Sequence, residues 1–175
     1  ALPISITEER DERDPFEAAA LADVPRDAAR ALTEEQQAAL SDLTRLADTQ
    51  QFNVALLHGV TGSGKTEVYL RLAEHVCGQG RRVLLMVPEI ALTPSVAALF
   101  RGAFGARVAI QHSALSDGER HDQWQRIRHG EVDLIIGTRS AVFAPIENLG
   151  LIIVDEEHDS SYKQEEAPRY HGRDV

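Results

Sequence analysis

Short apolar runs alternate with amphipathic stretches from residue 53 onwards, and this alternation limits the chain to few folds. The apolar runs cover residues 54–57, 83–87, 108–110, 134–136 and 151–154. Helical spacing of apolar side chains predicts helices at 33–49, 65–77, 94–104 and 117–128. Strands that are apolar throughout and separated by helices are typical of a parallel sheet buried on both faces. We therefore predict a doubly wound α/β domain with helices on both faces of the sheet.

Two helix starts carry a capping signature. Thr33 is followed three residues later by Gln36, and Ser116 is followed three residues later by Glu119. A hydroxyl at the N-cap and a carboxyl or amide at the third helical position can satisfy each other's backbone N–H groups. The pattern predicts helices that begin directly after Thr33 and Ser116.

Residues 1–30 have a different character from the rest of the chain. They combine crowded acidic residues with three prolines, and we interpret them as an acidic linker or tail with one short helix at 16–23. We assign residues 31–175 to a single domain. The sequence does not begin with Met, and we expect it to be an excised piece of a longer protein.

Composition narrows the function classes. The formal net charge is −10, with 28 acidic against 18 basic residues, which argues against a broad nucleic-acid-binding surface. Much of that excess lies in the acidic tail, so net charge alone does not decide whether the chain binds nucleic acid.

The single cysteine, Cys77, excludes an internal disulfide and is expected in the core. No apolar run approaches the roughly 20 residues of a membrane span, and no signal peptide is visible, so we expect a cytoplasmic protein.

The strand predicted at 54–57 leads into a glycine-rich loop and then a helix, which is the setting of a phosphate-binding loop. Glycines let several backbone N–H groups face one concavity, and the helix adds the positive end of its dipole. Lys65 is expected to reach the β and γ phosphates of ATP, and Thr66 to bind Mg²⁺. The predicted nucleotide-binding residues are Gly59, Thr61, Gly62, Ser63, Gly64, Lys65 and Thr66.

A second motif follows the strand predicted at 151–154. Asp155 is expected to bind Mg²⁺, and Glu156 to orient or deprotonate the attacking water. The pattern Asp-Glu-x-His is similar to the DExH signature of superfamily 2 helicases, in which the histidine relays nucleotide state to the nucleic-acid side. We predict that Lys65, Asp155, Glu156 and His158 are catalytic, with an ordinary polar loop position as the alternative for His158.

The remaining motifs extend this resemblance across about residues 32–175. The runs at 87–94, 137–141 and 155–164, with Arg169, Tyr170 and His171 after them, resemble replication-restart helicases of superfamily 2. The resemblance implies a RecA-like P-loop NTPase fold, the first motor lobe of an ATP-dependent 3′ to 5′ DNA helicase acting at stalled replication forks. It also implies ATP and Mg²⁺ as cofactors, a bacterial cytoplasmic location, and no membrane association. The implied partners are single-stranded and forked DNA, primosome proteins and single-strand binding protein.

The resemblance also suggests roles for individual residues. Gln36 matches the glutamine that contacts adenine, although it equally fits the capping box, and Gln37 is an alternate. Thr93 and Arg139 are expected to contact DNA phosphates, with a structural ion pair as the alternative for Arg139. An aromatic-rich loop is expected to bind DNA through stacking faces and cations, unless its aromatics only pack the loop. Its DNA-binding members are Tyr162, Lys163, Arg169 and Tyr170. Trp124 is expected in the core.

Parts of such a motor are not found in this sequence. No Ser-Ala-Thr motif follows, and the second lobe, which in this family contains an arginine finger and a zinc-binding cysteine cluster, is missing. We therefore expect an incomplete first lobe, with zinc only in the second lobe. The alternatives are a DExH translocase subunit of another DNA-processing machine and a non-catalytic scaffold with an ATP-type fold.

A first prediction concerns nucleotide binding by the chain alone. In such motors the two lobes close around ATP. We therefore expect one lobe alone to bind ATP weakly and to hydrolyse little or none of it. Lys65→Ala should abolish the remaining affinity because it removes the cation that meets the phosphates. Equilibrium titration with a fluorescent ATP analogue measures the affinity. Rapid turnover by the isolated chain would contradict the expectation.

Overall fold

The computed structural model describes residues 31–91 and 94–175. The predicted tail at 1–30, its short helix at 16–23 and Thr93 lie outside the described residues. Four α-helices and four strands form the described part, with short 3₁₀ turns between them. The helices are α1 Glu34–Asp48, α2 Lys65–Gly78, α3 Pro94–Phe104 and α4 Asp117–Arg128. The strands are β1 Arg82–Met86, β2 Val108–Gln111, β3 Leu134–Gly137 and β4 Leu149–Val154.

The four strands form one parallel sheet in the order β2-β3-β1-β4. β1 lies inside the sheet and pairs on both sides, so that Leu85 is in register with Ile136 and with Ile153. β2 pairs with β3 at the far edge. The chain passes over β3 between β1 and β2, and returns across β1 between β3 and β4. This sheet confirms the predicted doubly wound α/β architecture.

Alternate residues of each strand pack against different helices, because successive side chains point to opposite faces of a sheet. On one face, Val83, Leu85 and Ile136 join Leu70 of α2 and Phe100 of α3 in a single cluster. On the other face, a second cluster combines strand residues with Ile127 of α4 and with residues of the connecting segments. Its members are Leu84, Met86, Ala109, Ile127, Val132, Ile135, Ala141 and Tyr162. Helices therefore cover both faces, as predicted.

Both predicted capping boxes are present. The Thr33 hydroxyl accepts from Gln36 N at 3.2 Å, and Thr33 N donates to Gln36 Oε1 at 3.0 Å. Ser116 and Glu119 make the same pair of contacts at the start of α4. These local interactions set the two helix starts where the sequence pattern placed them.

The strand predicted at 54–57 is wrong. The backbone there is irregular, and Val54 and Leu56 are 82% and 78% exposed. An apolar run becomes a strand only when a neighbouring backbone pairs with it. β4 is the edge strand on this side of the sheet, and none of the described strands pairs with residues 54–57.

The expectation that Trp124 lies in the core is wrong, whereas Cys77 packs against the core cluster as expected. Trp124, expected in the core, lies on the outer side of α4 with 37% of its surface exposed and the Arg128 guanidinium 5.4 Å from its ring centroid. Cys77 is half-buried, and its thiol faces Asp133 O. Among the helices described, none has the length and apolar character needed to cross a bilayer.

Gly137 provides a test of packing at the end of β3. A Cβ atom there would lie 2.3 Å from Ala141 Cβ and 2.6 Å from Gln111 O. Gly137→Ala should therefore lower the free energy of unfolding by about 3 kcal/mol, the upper range for overpacking. Urea denaturation measures the change. Gly78→Ala is the matched control, because a Cβ at Gly78 meets nothing within 4 Å; equal stability of the two variants would contradict the packing.

Candidate functional site

The carboxyl ends of the parallel strands meet at one edge of the sheet, and the candidate site lies there. Asp155 follows β4 directly, and its N–H donates to Met86 O of β1 at 2.9 Å. Val87, after β1, donates to Gly137 O of β3 at 2.9 Å. Ligands of open parallel sheets bind outside this edge, where loops from different strands converge. The fold thus brings residues 87, 137 and 155 to one place.

The glycine-rich loop directly precedes α2, as predicted. Ser63 N donates to Val60 O at 3.1 Å, and Gly64, the N-cap of α2, has a φ of 82°. Such a left-handed backbone favours glycine. A Cβ at Gly59 would lie only 2.7 Å from Ser63 Oγ, so a larger residue there would require the Ser63 side chain to move. Thr61, Gly62 and Ser63 are exposed, as a ligand-facing loop requires.

Lys65 connects this loop to the acidic strand end. Its Nζ donates to Gly59 O at 2.7 Å and lies 3.6 Å from Glu156 Oε1. The two charged residues are 91 positions apart in the sequence, and only the sheet brings them together. An ammonium group and a carboxylate are therefore held at the mouth of the loop.

Asp155 is held by two tyrosines from different elements. Tyr69 of α2 donates its hydroxyl to Asp155 Oδ1 at 3.1 Å, and Tyr162 donates to Asp155 O at 2.7 Å. Burial, followed by the nearby Asp155 charge, raises the pKa of both phenols. Both therefore remain protonated donors near neutral pH. The carboxylate is oriented toward α2, whose first turn contains Thr66.

Glu156 has an unusual backbone and a histidine neighbour. Its φ is 45°, in the left-handed region that non-glycine residues seldom adopt. His158 Nε2 lies 3.8 Å from Glu156 Oε2, while the His158 side chain is 76% exposed. Strained backbones of this kind concentrate at functional sites, where the surrounding structure maintains them.

Gln36 fulfils the capping alternative and also contacts the loop. Its Oε1 accepts from Thr33 N, and its Nε2 donates to Ser63 O at 2.9 Å. A single amide thus joins the start of α1 to the glycine-rich loop. Gln37, the alternate, is exposed on the same helix.

The segment after β4, which we call the post-β4 loop (residues 159–174), folds back on itself. Lys163 and His171 form an antiparallel bridge, and Gln164 N donates to Tyr170 O at 2.7 Å. A surface cavity of about 580 Å³ lies at this end of the loop. Its lining residues are Lys163, Gln164, Glu165, Arg169, Tyr170 and His171.

Tyr162 fits the packing alternative for the loop aromatics, and Arg139 has partners that the sequence did not indicate. Tyr162 is fully buried, so its ring has no free face on which a base could stack. Arg139 Nη1 donates to the main-chain oxygens of Ser161 and Lys163, at 3.1 and 2.7 Å, and these contacts were not among those considered for it. Burial and these carbonyl partners depend on tertiary packing, which the residue pattern did not reveal.

Phe143 is a surface aromatic that the sequence motifs did not indicate. It is 59% exposed, and its ring meets Tyr170 edge to face with 5.0 Å between centroids. It lies four residues after Arg139 and six before the start of β4, and no motif marks this position. Only the folding of the post-β4 loop places Tyr170 beside it.

Oxygen ligands for a divalent cation are available near the loop. Thr66 lies one turn before Tyr69 on the same face of α2, and Tyr69 contacts the Asp155 carboxylate. A hydroxyl and a carboxylate are ligands that suit Mg²⁺. In the described part of the chain, no group of three or more His, Cys, Asp or Glu side chains forms a metal cluster.

Comparisons with known proteins agree with this geometry. The sequence profile of the DEAD/DEAH box helicase family matches residues 33–173. A Bacillus subtilis protein named replication restart protein PriA is 55% identical over 144 residues, covering 82% of this chain and 18% of that protein. A Haemophilus influenzae protein of the same name is 49% identical over 144 residues, covering 82% and 20%. The chain therefore spans about a fifth of the length of these curated relatives.

A solved structure supports the fold. A nuclease-deletion mutant of the Type ISP restriction-modification enzyme LlaGI, in complex with a DNA substrate mimic, aligns with a TM-score of 0.54 and 18% identity. The alignment covers 75% of this chain and 16% of that one. Because the family profile extends over nearly all of the described residues, the chain belongs to the DEAD/DEAH box helicase family.

Proposed function

We propose that this chain is the first motor lobe of an ATP-dependent 3′ to 5′ DNA helicase that acts at stalled replication forks. The observation that carries the proposal is the meeting of Lys65 and Glu156 at 3.6 Å, beside the glycine-rich loop. Relatives 43–55% identical to the chain are named replication restart protein, which supports the role at forks. Polarity, primosome partners, single-strand binding protein and a cytoplasmic location rest on that resemblance.

The loop and α2 would hold the triphosphate. Backbone N–H groups at residues 59–66 and the amino end of α2 favour anions, and Lys65 adds a full positive charge. Thr66 and Asp155 would hold Mg²⁺ through oxygen atoms. Bound ATP supplies the phosphoryl group whose transfer to water releases the free energy that drives the motor.

Glu156 is the residue best placed to act on the attacking water. Its carboxylate lies next to Lys65, and a carboxylate there can accept a proton as the water attacks. His158 is exposed and close to Glu156, so it can report the state of the carboxylate to the outer face. Tyr69 and Tyr162 keep Asp155 in position through their hydroxyl groups.

The outer face of the post-β4 loop would bind single-stranded DNA. Lys163 and Arg169 are exposed cations, and Tyr170 and Phe143 offer aromatic edges and faces. Stacking together with cationic contacts binds single strands without reading their sequence. Tyr162, being buried, supports this surface from below. Thr93 stays a predicted phosphate contact.

A DExH translocase subunit of another DNA-processing machine is the second candidate, because helicases and translocases share the same ATP-hydrolysing motor. Unwinding of forked DNA, as opposed to tracking along intact duplex, separates the two. A non-catalytic scaffold is disfavoured, because it would not need the assembled Lys65, Asp155 and Glu156.

Steady-state ATP hydrolysis by the complete gene product, with and without forked DNA, tests the proposal. Glu156→Gln should keep nucleotide affinity and lower the hydrolysis rate by at least about 100-fold, because the amide cannot accept the water proton. Strong stimulation of the unsubstituted protein by DNA is expected. Hydrolysis indifferent to DNA would leave the ATP site intact and refute the helicase assignment.

Gln36 gives a separate prediction for nucleotide binding. Gln36→Ala should weaken ATP affinity about tenfold, about 1.4 kcal/mol, because it removes the amide that contacts Ser63 O and, as proposed, adenine. Calorimetric titration measures the affinity. Gln37→Ala should have no effect, and Thr33→Ala, which breaks the capping box but keeps the Gln36 amide, should change affinity little. Equal losses in Gln36→Ala and Thr33→Ala would assign the effect to the cap alone.

A further inference from the structure

We propose that Arg139 is a positioning residue, which fastens the post-β4 loop to the sheet edge and does not contact DNA phosphate. This inference rests on the proposed function, because the loop is there assigned to DNA binding. The proposed role differs from the one expected from the sequence, in which Arg139 contacts a DNA phosphate. The contacts of Arg139 on three sides carry the argument.

The guanidinium faces the main chain of the loop. A single nitrogen, Nη1, donates to the carbonyl oxygens of Ser161 and Lys163, at 3.1 and 2.7 Å. Nε is buried and has no hydrogen-bond partner in the described part of the chain. Hydrogen bonds from a charged donor are among the stronger ones in proteins. Nη1 is therefore committed to two loop carbonyls, and the side chain as a whole is half-buried.

The returning half of the loop covers the same side chain. A Cβ at Gly172 would lie 3.4 Å from Arg139 Cγ, so the backbone there passes directly over the arginine stem. The guanidinium carbon lies 5.9 Å from the Tyr170 ring centroid, within the range of a cation–π contact. Arg139 thus contacts both the first half and the second half of the post-β4 loop.

The carbonyls that Arg139 binds flank Tyr162, whose hydroxyl donates to Asp155 O. A series of contacts runs from Phe143 and Tyr170 to Arg139, from Arg139 to the main chain on both sides of Tyr162, and from Tyr162 to Asp155. Contact alone does not establish energetic coupling, so coupling is the quantity to be measured. If Arg139 fixes the loop, its loss should uncouple the outer surface from the nucleotide site.

Substitution of Arg139 by lysine distinguishes positioning of the loop from binding of a DNA phosphate. A phosphate contact needs a positive charge, which lysine retains. Bridging two carbonyls while lying against an aromatic ring needs the planar group of arginine, which lysine lacks. Arg139→Lys should therefore resemble Arg139→Gln if the residue positions the loop, and resemble the unsubstituted protein if it binds phosphate.

Hydrogen exchange of the DNA-free complete gene product is the first test. Both variants should raise exchange of backbone amides at 160–172 by about tenfold or more, because two charge-assisted bonds are lost, while amides of β1 and β3 stay protected. Lys163→Gln is the matched control and should leave exchange unchanged. Unchanged exchange at 160–172 in Arg139→Gln would overturn the proposal.

DNA-stimulated ATP hydrolysis and salt dependence of DNA binding complete the test. Arg139→Lys and Arg139→Gln should both lower the stimulated rate about tenfold, with the slope of log affinity against log salt unchanged. Lys163→Gln should reduce that slope by about 0.7, the loss of one single-strand phosphate contact. Full stimulation in Arg139→Lys together with a reduced slope in Arg139→Gln would identify Arg139 as a phosphate contact and overturn the proposal.

Arginine footprinting of the unsubstituted protein decides the question even where a variant unfolds. Arg139 should resist phenylglyoxal without DNA, whereas the exposed Arg169 should react and become protected when DNA binds. Reaction of Arg139 without DNA and protection with DNA would refute the positioning role. If DNA does not stimulate ATP hydrolysis by the unsubstituted protein, the proposed function fails, while exchange and footprinting still decide how Arg139 acts.

Discussion

The pairing of β1 on both of its sides is the constraint on which the other features depend. β3 and β4 both run parallel to β1, so their carboxyl ends finish at the same edge. Motifs far apart in the sequence, at residues 87, 137 and 155, meet there as a consequence. The alternating side chains of the same strands bury the two helical layers. One set of backbone hydrogen bonds thus organises both the core and the candidate site.

Asp155 is the point at which this scaffold meets the site. Its N–H bonds to β1, its carboxylate accepts from Tyr69 of α2, and its carbonyl accepts from Tyr162 of the post-β4 loop. Asp155 therefore connects the sheet, α2 and the post-β4 loop. Its backbone is fixed on both sides and its carboxylate by one hydroxyl, so the residue has little conformational entropy left to lose, which is the advantage of a preorganised site.

Local patterns were sufficient for much of the structure. The capping pairs at Thr33 and Ser116 and the helices that follow them depend on contacts three residues apart, which a sequence displays directly. Four of the five apolar runs are strands, because their neighbours lie within the described chain. The glycine-rich loop lies directly before the helix that begins at Lys65, as predicted, and two of its glycines have the left-handed backbone that favours this residue type. These features could be predicted because few distant residues influence them.

Contacts between residues that are distant in the sequence were decided only by the tertiary structure. Residues 54–57 have the composition of a strand, but none of the described strands pairs with them. Tyr162 lies in the core and not on the surface, Arg139 binds main-chain oxygens, and Phe143 becomes the neighbour of Tyr170. The sequence by itself determined which chemical groups are present, how the helices begin, and the family to which they point. Which of these groups face solvent was settled only by packing, because burial depends on the surfaces that distant segments bring together.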